Sequence, residues 1–285
     1  MMTFVTTARS LRLWTERAGD PGSPAVLLIA GSAAQGYTWP DALVDRLVAG
    51  GLQVIRYDHR DTGRSGIVDF ERHPYSLTDL STDAVAVLDG YALPAAHVAG
   101  ASMGGVIAQW MAVHEPARVR SLTLLSSTPM GLDPWPGDLP PMAPHLRNRE
   151  AGPPGVESDV ELFRIMNGDV LPFDEQGARA MLERCWARAT DPSAAAHHFP
   201  ACDRMSPDLR VPLSAITAPT TVVHGDQDPM LPLPHGEALA AAIPGADLKI
   251  VEGMGHVYCS PGLPERLADL ILARVNQRDG ADSGR

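Results

Sequence analysis

The fold is indicated most clearly by one stretch of the chain, His97-Val98-Ala99-Gly100-Ala101-Ser102-Met103-Gly104-Gly105. A short apolar run ends in a turn of the form Gly-x-Ser-x-Gly, and a long helical pattern begins directly after it. The turn is so tight that a Cβ at Gly100 or Gly104 would collide with neighbouring backbone. This strand–turn–helix pattern predicts a strained Ser102 at the C-terminal edge of a sheet, in the position of a nucleophile. The alternative is a glycine-rich turn with an incidental serine.

Apolar runs and helical patterns alternate on both sides of this turn. Strands are predicted at residues 4–7, 11–16, 25–29, 52–57, 97–99, 121–125, 220–224 and 248–251. Helices are predicted at residues 40–49, 77–88, 103–114, 235–242 and 264–275. The continuous apolar run at 25–29 indicates a strand that is covered on both faces. The alternation predicts an α/β fold with a mostly parallel, doubly wound sheet.

The alternation is interrupted after residue 128. A stretch rich in proline and glycine is followed by helical patterns, and no strand of the parallel type appears before residue 220. We therefore predict a first core part at 1–128, an insertion at 129–214 and a second core part at 215–285. A helix-containing segment of this length between sheet strands is typical of a lid over a site. A helical excursion with no role in substrate choice is the alternative.

Composition excludes several classes of function. The chain has 285 residues and a formal net charge of -11, which argues against a nucleic-acid partner and an anionic membrane surface. Its three cysteines are widely separated, so we predict reduced thiols and no metal site. Residues 1–19 carry scattered charges, which fits neither a signal peptide nor a membrane span. We expect a cytoplasmic protein without a cofactor, and the sequence does not indicate its oligomeric state.

A nucleophilic serine needs a neighbouring imidazole and an orienting carboxylate. The loop after the strand at 220–224 offers two acids. We predict Asp228, which lies at the far side of the loop before a proline, whereas Asp226 could bind nearby backbone in a turn. The predicted base is His256, because it alone among the ten histidines follows a strand near the C-terminus. The other nine are assigned to surface, helix-end or packing positions.

An oxyanion hole requires two backbone N–H groups aimed at the developing negative charge. One is predicted at Met103, at the N-terminus of the helix after the nucleophile, where the helix dipole also favours an anion. The second is predicted at Ser32, in the loop after the strand at 25–29, with Gly31 allowing close approach. A loop with no catalytic role is the alternative for Gly31 and Ser32.

Four motifs together resemble the α/β-hydrolase superfamily of serine esterases: Gly100-Ala101-Ser102-Met103-Gly104, Tyr57-Asp58-His59-Arg60-Asp61-Thr62-Gly63-Arg64-Ser65, Asp228-Pro229 and Gly253-Met254-Gly255-His256. Residues 56–65, 73–75 and 84–90 are similar to the anthracycline (aclacinomycin-type) methylesterase group. That resemblance implies cleavage of a methyl ester on a polycyclic aglycone, which decarboxylation can follow. It also implies a structural role for the loop at 58–65, with its charged residues paired with one another. Many members carry His-Gly where this chain has Ala30-Gly31.

The resemblance implies an apolar or polycyclic small-molecule ester as the partner. The candidate pocket residues are Gly31, Met130, Trp135, Phe163, Met166 and Trp186. For the methionines, packing in the core is an equal alternative. We predict ester hydrolysis through an acyl-enzyme. A non-hydrolytic lyase, decarboxylase or cyclase of natural-product biosynthesis is the alternative, and a binding protein that kept the fold is a third, which an intact triad disfavours.

Overall fold

The computed structural model describes residues 1–129, 139–148, 152–203 and 212–282. Its strands are β1 (Met2–Thr6), β2 (Arg12–Ala18), β3 (Ala25–Ile29), β4 (Gln53–Tyr57), β5 (Ala96–Ala101), β6 (Val119–Leu125), β7 (Thr220–Gly225) and β8 (Asp247–Val251). Its helices are α1 (Asp41–Ala49), α2 (Leu77–Gly90), α3 (Met103–His114), α4 (Pro144–Arg147), α5 (Val156–Asn167), α6 (Glu175–Arg188), α7 (His198–Asp203), α8 (Pro234–Ala242) and α9 (Leu263–Asp282). Within these ranges, no helix combines the length and apolarity that crossing a bilayer requires.

The strands form one sheet in the order β1-β2-β4-β3-β5-β6-β7-β8. The pairs β1–β2 and β2–β4 are antiparallel, and every other pair is parallel. The predicted α/β fold with a mostly parallel sheet is confirmed. Because β3, β5, β6, β7 and β8 run in the same direction, the loops that follow them lie along one edge of the sheet. Every predicted site residue of the core lies in or next to one of these loops.

The sheet is covered on both faces, as its continuous apolar strands predict. In β3, Leu27 and Ile29 enter the cluster formed with helices α2 and α3, while Val26 and Leu28 enter the cluster formed with α1 and α9. All four side chains are fully buried. Each such side chain contributes about 1.5–3 kcal/mol to stability by leaving water. The two clusters make the sheet a rigid support for the loops at its edge.

Several element boundaries differ from the sequence prediction by a few residues, and the largest difference is at the end of α9. Helix α9 continues to Asp282, well beyond the predicted end at residue 275, and the short helices α4 and α7 were not predicted. The last residues of α9 have no apolar stripe, so the sequence pattern did not predict them as helical. They contain no proline, and the helix continues through them because each residue added to an existing helix gains a backbone hydrogen bond. Helix α7 has only six residues, which is too short to show a periodic pattern.

Helix α6 of the insertion is fixed to the core by Arg188. The Nη1 atom of Arg188 lies 2.7 Å from Oδ2 of Asp58, whose side chain is completely buried. The same guanidinium stacks over the rings of Trp14 and Tyr37, at 4.1 and 4.6 Å from their centroids. A planar guanidinium suits this arrangement because it can pair with a carboxylate and stack on aromatic faces at once. The insertion is thereby docked on the core through a buried ion pair.

We expect Arg188→Ala to lower the free energy of unfolding by about 3 kcal/mol, because it leaves a buried carboxylate without its charged partner. Chemical denaturation of the purified protein measures this loss. The control is Arg179→Ala, which removes an ion pair to Glu157 from the exposed side of the same helix and should cost much less. Equal losses in the two variants would contradict the anchoring role of Arg188.

Candidate active site

Ser102 occupies a sharp turn between β5 and α3. Its backbone has φ of 53° and ψ of -121°, in a region that a residue with a side chain rarely adopts. Its N–H donates to the carbonyl of Leu125 in β6 at 3.0 Å, which fixes the turn to the neighbouring strand. A Cβ at Gly100 would lie 2.2 Å from the carbonyl oxygen of Gly104, and one at Gly104 would lie 2.1 Å from that of Ile29. Both glycines are therefore required by close backbone contact.

A third glycine contributes to this turn without being predicted. A Cβ on Gly105 would lie 2.4 Å from Oγ of Ser127, which in turn donates to the carbonyl of Ser102 at 2.8 Å. Ser127 is completely buried after the end of β6. The pair Gly105-Ser127 thus supports the serine turn from the next strand along the sheet. The signal was present in the sequence as the second glycine of Gly104-Gly105.

Asp228 lies in the loop after β7 and has a buried side chain. Its Oδ1 accepts from the N–H groups of Met230 and Leu231, each at 2.9 Å, and its Oδ2 lies 2.7 Å from Nδ1 of His256. Burial alone would raise the pKa of Asp228, but the adjacent His256 and these hydrogen bonds hold the pKa below its ordinary value. The group is therefore an anion that is fixed in orientation by the backbone.

Asp226, the other acid of this loop, has a different contact. Its Oδ1 accepts from the N–H of Gly253 at 2.7 Å and so connects the loop after β7 to the loop after β8. Asp226 therefore binds backbone, as considered from the sequence, but the backbone belongs to the loop after β8 and not to its own turn.

His256 presents its second ring nitrogen away from the acid. Because a carboxylate only accepts, Nδ1–H of His256 donates to Asp228, which leaves Nε2 as an acceptor. The His256 N–H donates to the carbonyl of Met166 at the end of α5, at 2.6 Å. A Cβ at Gly255 would lie 2.2 Å from that same carbonyl oxygen. A side chain at position 255 would therefore prevent the close contact between this loop and α5.

A second histidine, His224, contacts the loop after β7 that carries Asp228. Its Nε2 lies 2.7 Å from the carbonyl oxygen of Leu231 and 3.6 Å from Oδ2 of Asp228. Burial lowers the pKa of His224, so the ring is neutral and donates from Nε2 to Leu231. The sequence assigned His224 to a surface, helix-end or packing position, because nothing in its strand pattern indicates which loop its ring contacts.

The loop that follows β3, residues 30–34, is here named the oxyanion loop. Gly31 lies against the serine, since a Cβ there would be 3.3 Å from Cβ and 3.8 Å from Oγ of Ser102. The Ser32 hydroxyl donates to the Met103 sulfur at 3.3 Å. Met103 is the first residue of α3, and the N–H groups of a first turn have no carbonyl partner within their own helix. The structure therefore brings the two predicted oxyanion residues side by side.

Two buried histidines contact the oxyanion loop. His59 Nε2 lies 3.0 Å from the carbonyl oxygen of Ala30, and His198 Nδ1 accepts from the N–H of Ala33 at 2.9 Å. Burial lowers the pKa of His59 to about 3, and it also lowers the pKa of His198. The sequence assigned both to packing or surface positions. His198 is far away along the chain, so no local pattern could connect it to the loop.

One predicted pocket residue, Gly31, lies against Ser102, and the other five separate into three groups. Met166 and Phe163 lie in an apolar cluster of the insertion that also contains Val257, next to the proposed base. The Trp186 indole instead donates to Asp159 at 2.7 Å and joins α6 to α5. Met130 and Trp135 lie outside the described residues.

The charged residues of the loop at 58–65 do not pair with one another, so that expectation is wrong. Arg60 donates from Nε and Nη2 to the carboxylate of Asp83 in α2, at 2.7 and 2.8 Å, and Asp58 pairs with Arg188. Successive turns in this loop direct neighbouring side chains toward different elements. The loop therefore connects the core to the insertion. The described residues contain no group of three or more His, Cys, Asp or Glu side chains arranged to hold a metal ion.

Comparisons with known proteins show the fold family of the chain. A family model described as alpha/beta hydrolase fold matches residues 24–261. The chain is 38% identical to rhodomycin D methylesterase DnrP of Streptomyces peucetius and to DauP of Streptomyces sp. strain C5, and each alignment covers 96% of this chain and 98% of the relative. The fold resembles that of 2-hydroxy-6-oxo-6-phenylhexa-2,4-dienoate hydrolase from Rhodococcus sp. strain RHA1, with a TM-score of 0.76, 20% identity, and coverage of 97% of this chain and 99% of that one.

We expect the free energy of unfolding to fall as the pH drops from about 6.5 toward 3. A histidine in an unfolded chain titrates near 6.5, whereas folded His59 stays neutral down to about pH 3, so the unfolded state binds the proton first. The contribution of His59 reaches at most about 1.4 kcal/mol per pH unit. Urea unfolding at several pH values measures the slope.

The variant His59→Gln keeps an N–H donor for Ala30 but cannot titrate, so its slope should be smaller. His73 is exposed, and His73→Gln is the matched control that should keep the wild-type slope. An unchanged slope in His59→Gln would show that His59 is not the group responsible.

Proposed function

The chain belongs to the α/β-hydrolase fold family and is a carboxylic ester hydrolase of the anthracycline methylesterase group, and from this we propose that it acts through an acyl-enzyme on Ser102. The observation that carries the proposal is the 2.7 Å hydrogen bond between His256 and Asp228, at the sheet edge where Ser102 stands in its strained turn. The base–acid pair and the strained serine turn support the arrangement of serine, base and acid that hydrolytic enzymes use.

In the first half of the proposed reaction, Oγ of Ser102 attacks the ester carbonyl carbon while Nε2 of His256 accepts the hydroxyl proton. The imidazolium that forms is stabilised by the anionic Asp228 at Nδ1. The carbonyl oxygen becomes an oxyanion, which receives hydrogen bonds from the N–H groups of Met103 and Ser32. When the tetrahedral intermediate collapses, His256 returns the proton to the departing alcohol, and the acyl group remains on Ser102.

In the second half, a water molecule replaces the alcohol and loses a proton to His256. Its oxygen attacks the acyl carbonyl, and the same two N–H groups stabilise the second oxyanion. Collapse releases the carboxylic acid and returns the proton from His256 to Ser102. The neutral His256 that starts each half has Nε2 unprotonated, which is the tautomer fixed by the Asp228 contact.

We propose a methyl ester of an aromatic polyketide as the substrate, with methanol as the leaving alcohol. The support is the 38% identity to two rhodomycin D methylesterases over nearly the full length of both chains. An apolar cluster adjoins the base through Val257, as a flat apolar substrate would require. We propose that the insertion at 129–214 forms the lid over this substrate. No observation favours the lyase, decarboxylase or cyclase alternative.

We expect Ser102→Ala to lower kcat by roughly 10⁴- to 10⁶-fold, since removal of a triad nucleophile leaves only binding and the oxyanion hole. The assay follows release of methanol and free acid from an anthracycline methyl ester by mass spectrometry. The matched control is Ser23→Ala, which changes a serine in the turn before the N-terminal end of β3 and should leave kcat unchanged. Near-normal hydrolysis by Ser102→Ala would rule out the mechanism.

The two acids of the loop after β7 give a second test. Asp228→Asn should lower kcat by about 10⁴-fold, because an amide cannot stabilise the imidazolium or hold its tautomer. Asp226→Asn keeps an oxygen acceptor for the Gly253 N–H and should retain most of the activity. Steady-state kinetics on one ester compare the two. A greater loss of kcat in Asp226→Asn than in Asp228→Asn would show that Asp228 is not the acid.

A further inference from the structure

The oxyanion loop has a conformation that needs external support. Ala33 has φ of 57°, in the left-handed region that a residue with a Cβ seldom occupies. Such a residue costs on the order of 1–3 kcal/mol and persists only where its surroundings determine it. Within the loop the Ala34 N–H donates to the carbonyl of Gly31 at 3.3 Å, which is a long and weak contact. The hydrogen bonds that hold the loop must therefore come from elsewhere.

The main support for Ala33 is His198, the first residue of α7 in the insertion. The His198 side chain is completely buried, and its Nδ1 accepts the Ala33 N–H at 2.9 Å. Its Nε2 lies 2.9 Å from the carbonyl oxygen of Arg60. Because the Ala33 N–H can only donate and the Arg60 carbonyl can only accept, His198 must carry its proton on Nε2. Both ring nitrogens are thus used, and the tautomer has no alternative.

The segment that carries His198 is held to the core beside it. His197 Nδ1 lies 2.9 Å from Oδ2 of Asp61, and its ring stacks on Phe70 with centroids 5.0 Å apart. The rings of His198 and His59 are nearly perpendicular, with their centroids 5.6 Å apart. His59 binds the carbonyl of Ala30 at the other end of the oxyanion loop. The loop is therefore held at its start by the core and at its end by the insertion.

Ser32 lies between these two supports. Its hydroxyl contacts the Met103 sulfur at 3.3 Å and the sulfur of Cys202, also in α7, at 3.8 Å. We propose that His198 is a positioning residue for the oxyanion hole: the insertion supplies it, and it sets the direction of the Ser32 N–H by holding Ala33. This inference rests on the proposed function, since it assumes that the Ser32 N–H faces a developing oxyanion. The insertion then contributes to catalysis as well as to substrate binding.

Two amide substitutions separate the two hydrogen bonds of His198. In His198→Asn, the side-chain oxygen replaces Nδ1 and can still accept the Ala33 N–H, while the donor to Arg60 is lost. In His198→Gln, the amide nitrogen replaces Nε2 and can still donate to Arg60, while the acceptor for Ala33 is lost. Both variants remove the ring and are similarly polar, so a purely structural role should affect them alike.

We expect His198→Gln to lower kcat by about 10- to 100-fold with little change in KM, somewhat less than the loss caused by deleting an oxyanion donor. His198→Asn should retain clearly more of the wild-type kcat. The affinity for an arylboronic acid, which forms a tetrahedral adduct with the serine, should fall in parallel with kcat/KM in the glutamine variant. Equal kcat values for the two variants, or a change confined to KM, would overturn the proposal.

A readout that does not depend on ester hydrolysis separates this inference from the proposed function. Amide hydrogen exchange at Ala33 should be slow in the wild type and in His198→Asn, and fast in His198→Gln. Fast exchange in the wild type overturns the role of His198 even if neither variant folds. If Ser102→Ala keeps its activity while Ala33 is protected as expected, the proposed mechanism fails and the contact of His198 stands.

Discussion

The rest of the site depends on the strained backbone of Ser102. A residue with φ of 53° projects its side chain above the sheet edge only because the chain turns directly from β5 into α3. That turn brings the start of α3 against the carbonyl of Ile29, and a Cβ at Gly104 would collide with that carbonyl oxygen. The same contact brings the start of α3 beside the oxyanion loop. The proposed nucleophile and the proposed oxyanion hole are thus positioned by one backbone constraint.

The parallel sheet and the insertion complete the arrangement. The proposed acid and the proposed base follow the neighbouring strands β7 and β8, so their loops meet at one edge and the Asp228–His256 hydrogen bond forms directly between them. The insertion then contacts this machinery at two points. Its helix α5 accepts the N–H of His256 through the Met166 carbonyl, and its helix α7 places His198 on Ala33. The segment that the sequence predicts as a substrate lid is therefore also hydrogen-bonded to the proposed base and to the oxyanion loop.

The sequence was sufficient wherever one local pattern determines one structure. The apolar run at β3 predicted a doubly covered strand, and the Gly-x-Ser-x-Gly pattern predicted the strained turn between a strand and a helix. Contacts between distant segments left no such pattern. Arg188 pairs with Asp58 and His198 holds Ala33 across more than a hundred residues, and only the packed chain shows these pairs. Charged residues of one loop were expected to pair locally, whereas their side chains point to different elements.

The central claim is that Ser102 is the nucleophile, and covalent trapping tests it most directly. The purified wild-type protein is treated with one equivalent of an aryl alkylphosphonate, a tetrahedral mimic of the acylation step, and the modified residue is located by intact-mass measurement and peptide mapping. We expect a single adduct on Ser102, with esterase activity lost in proportion to labelling. Loss of activity with the adduct on another residue, or full activity with Ser102 labelled, would contradict it.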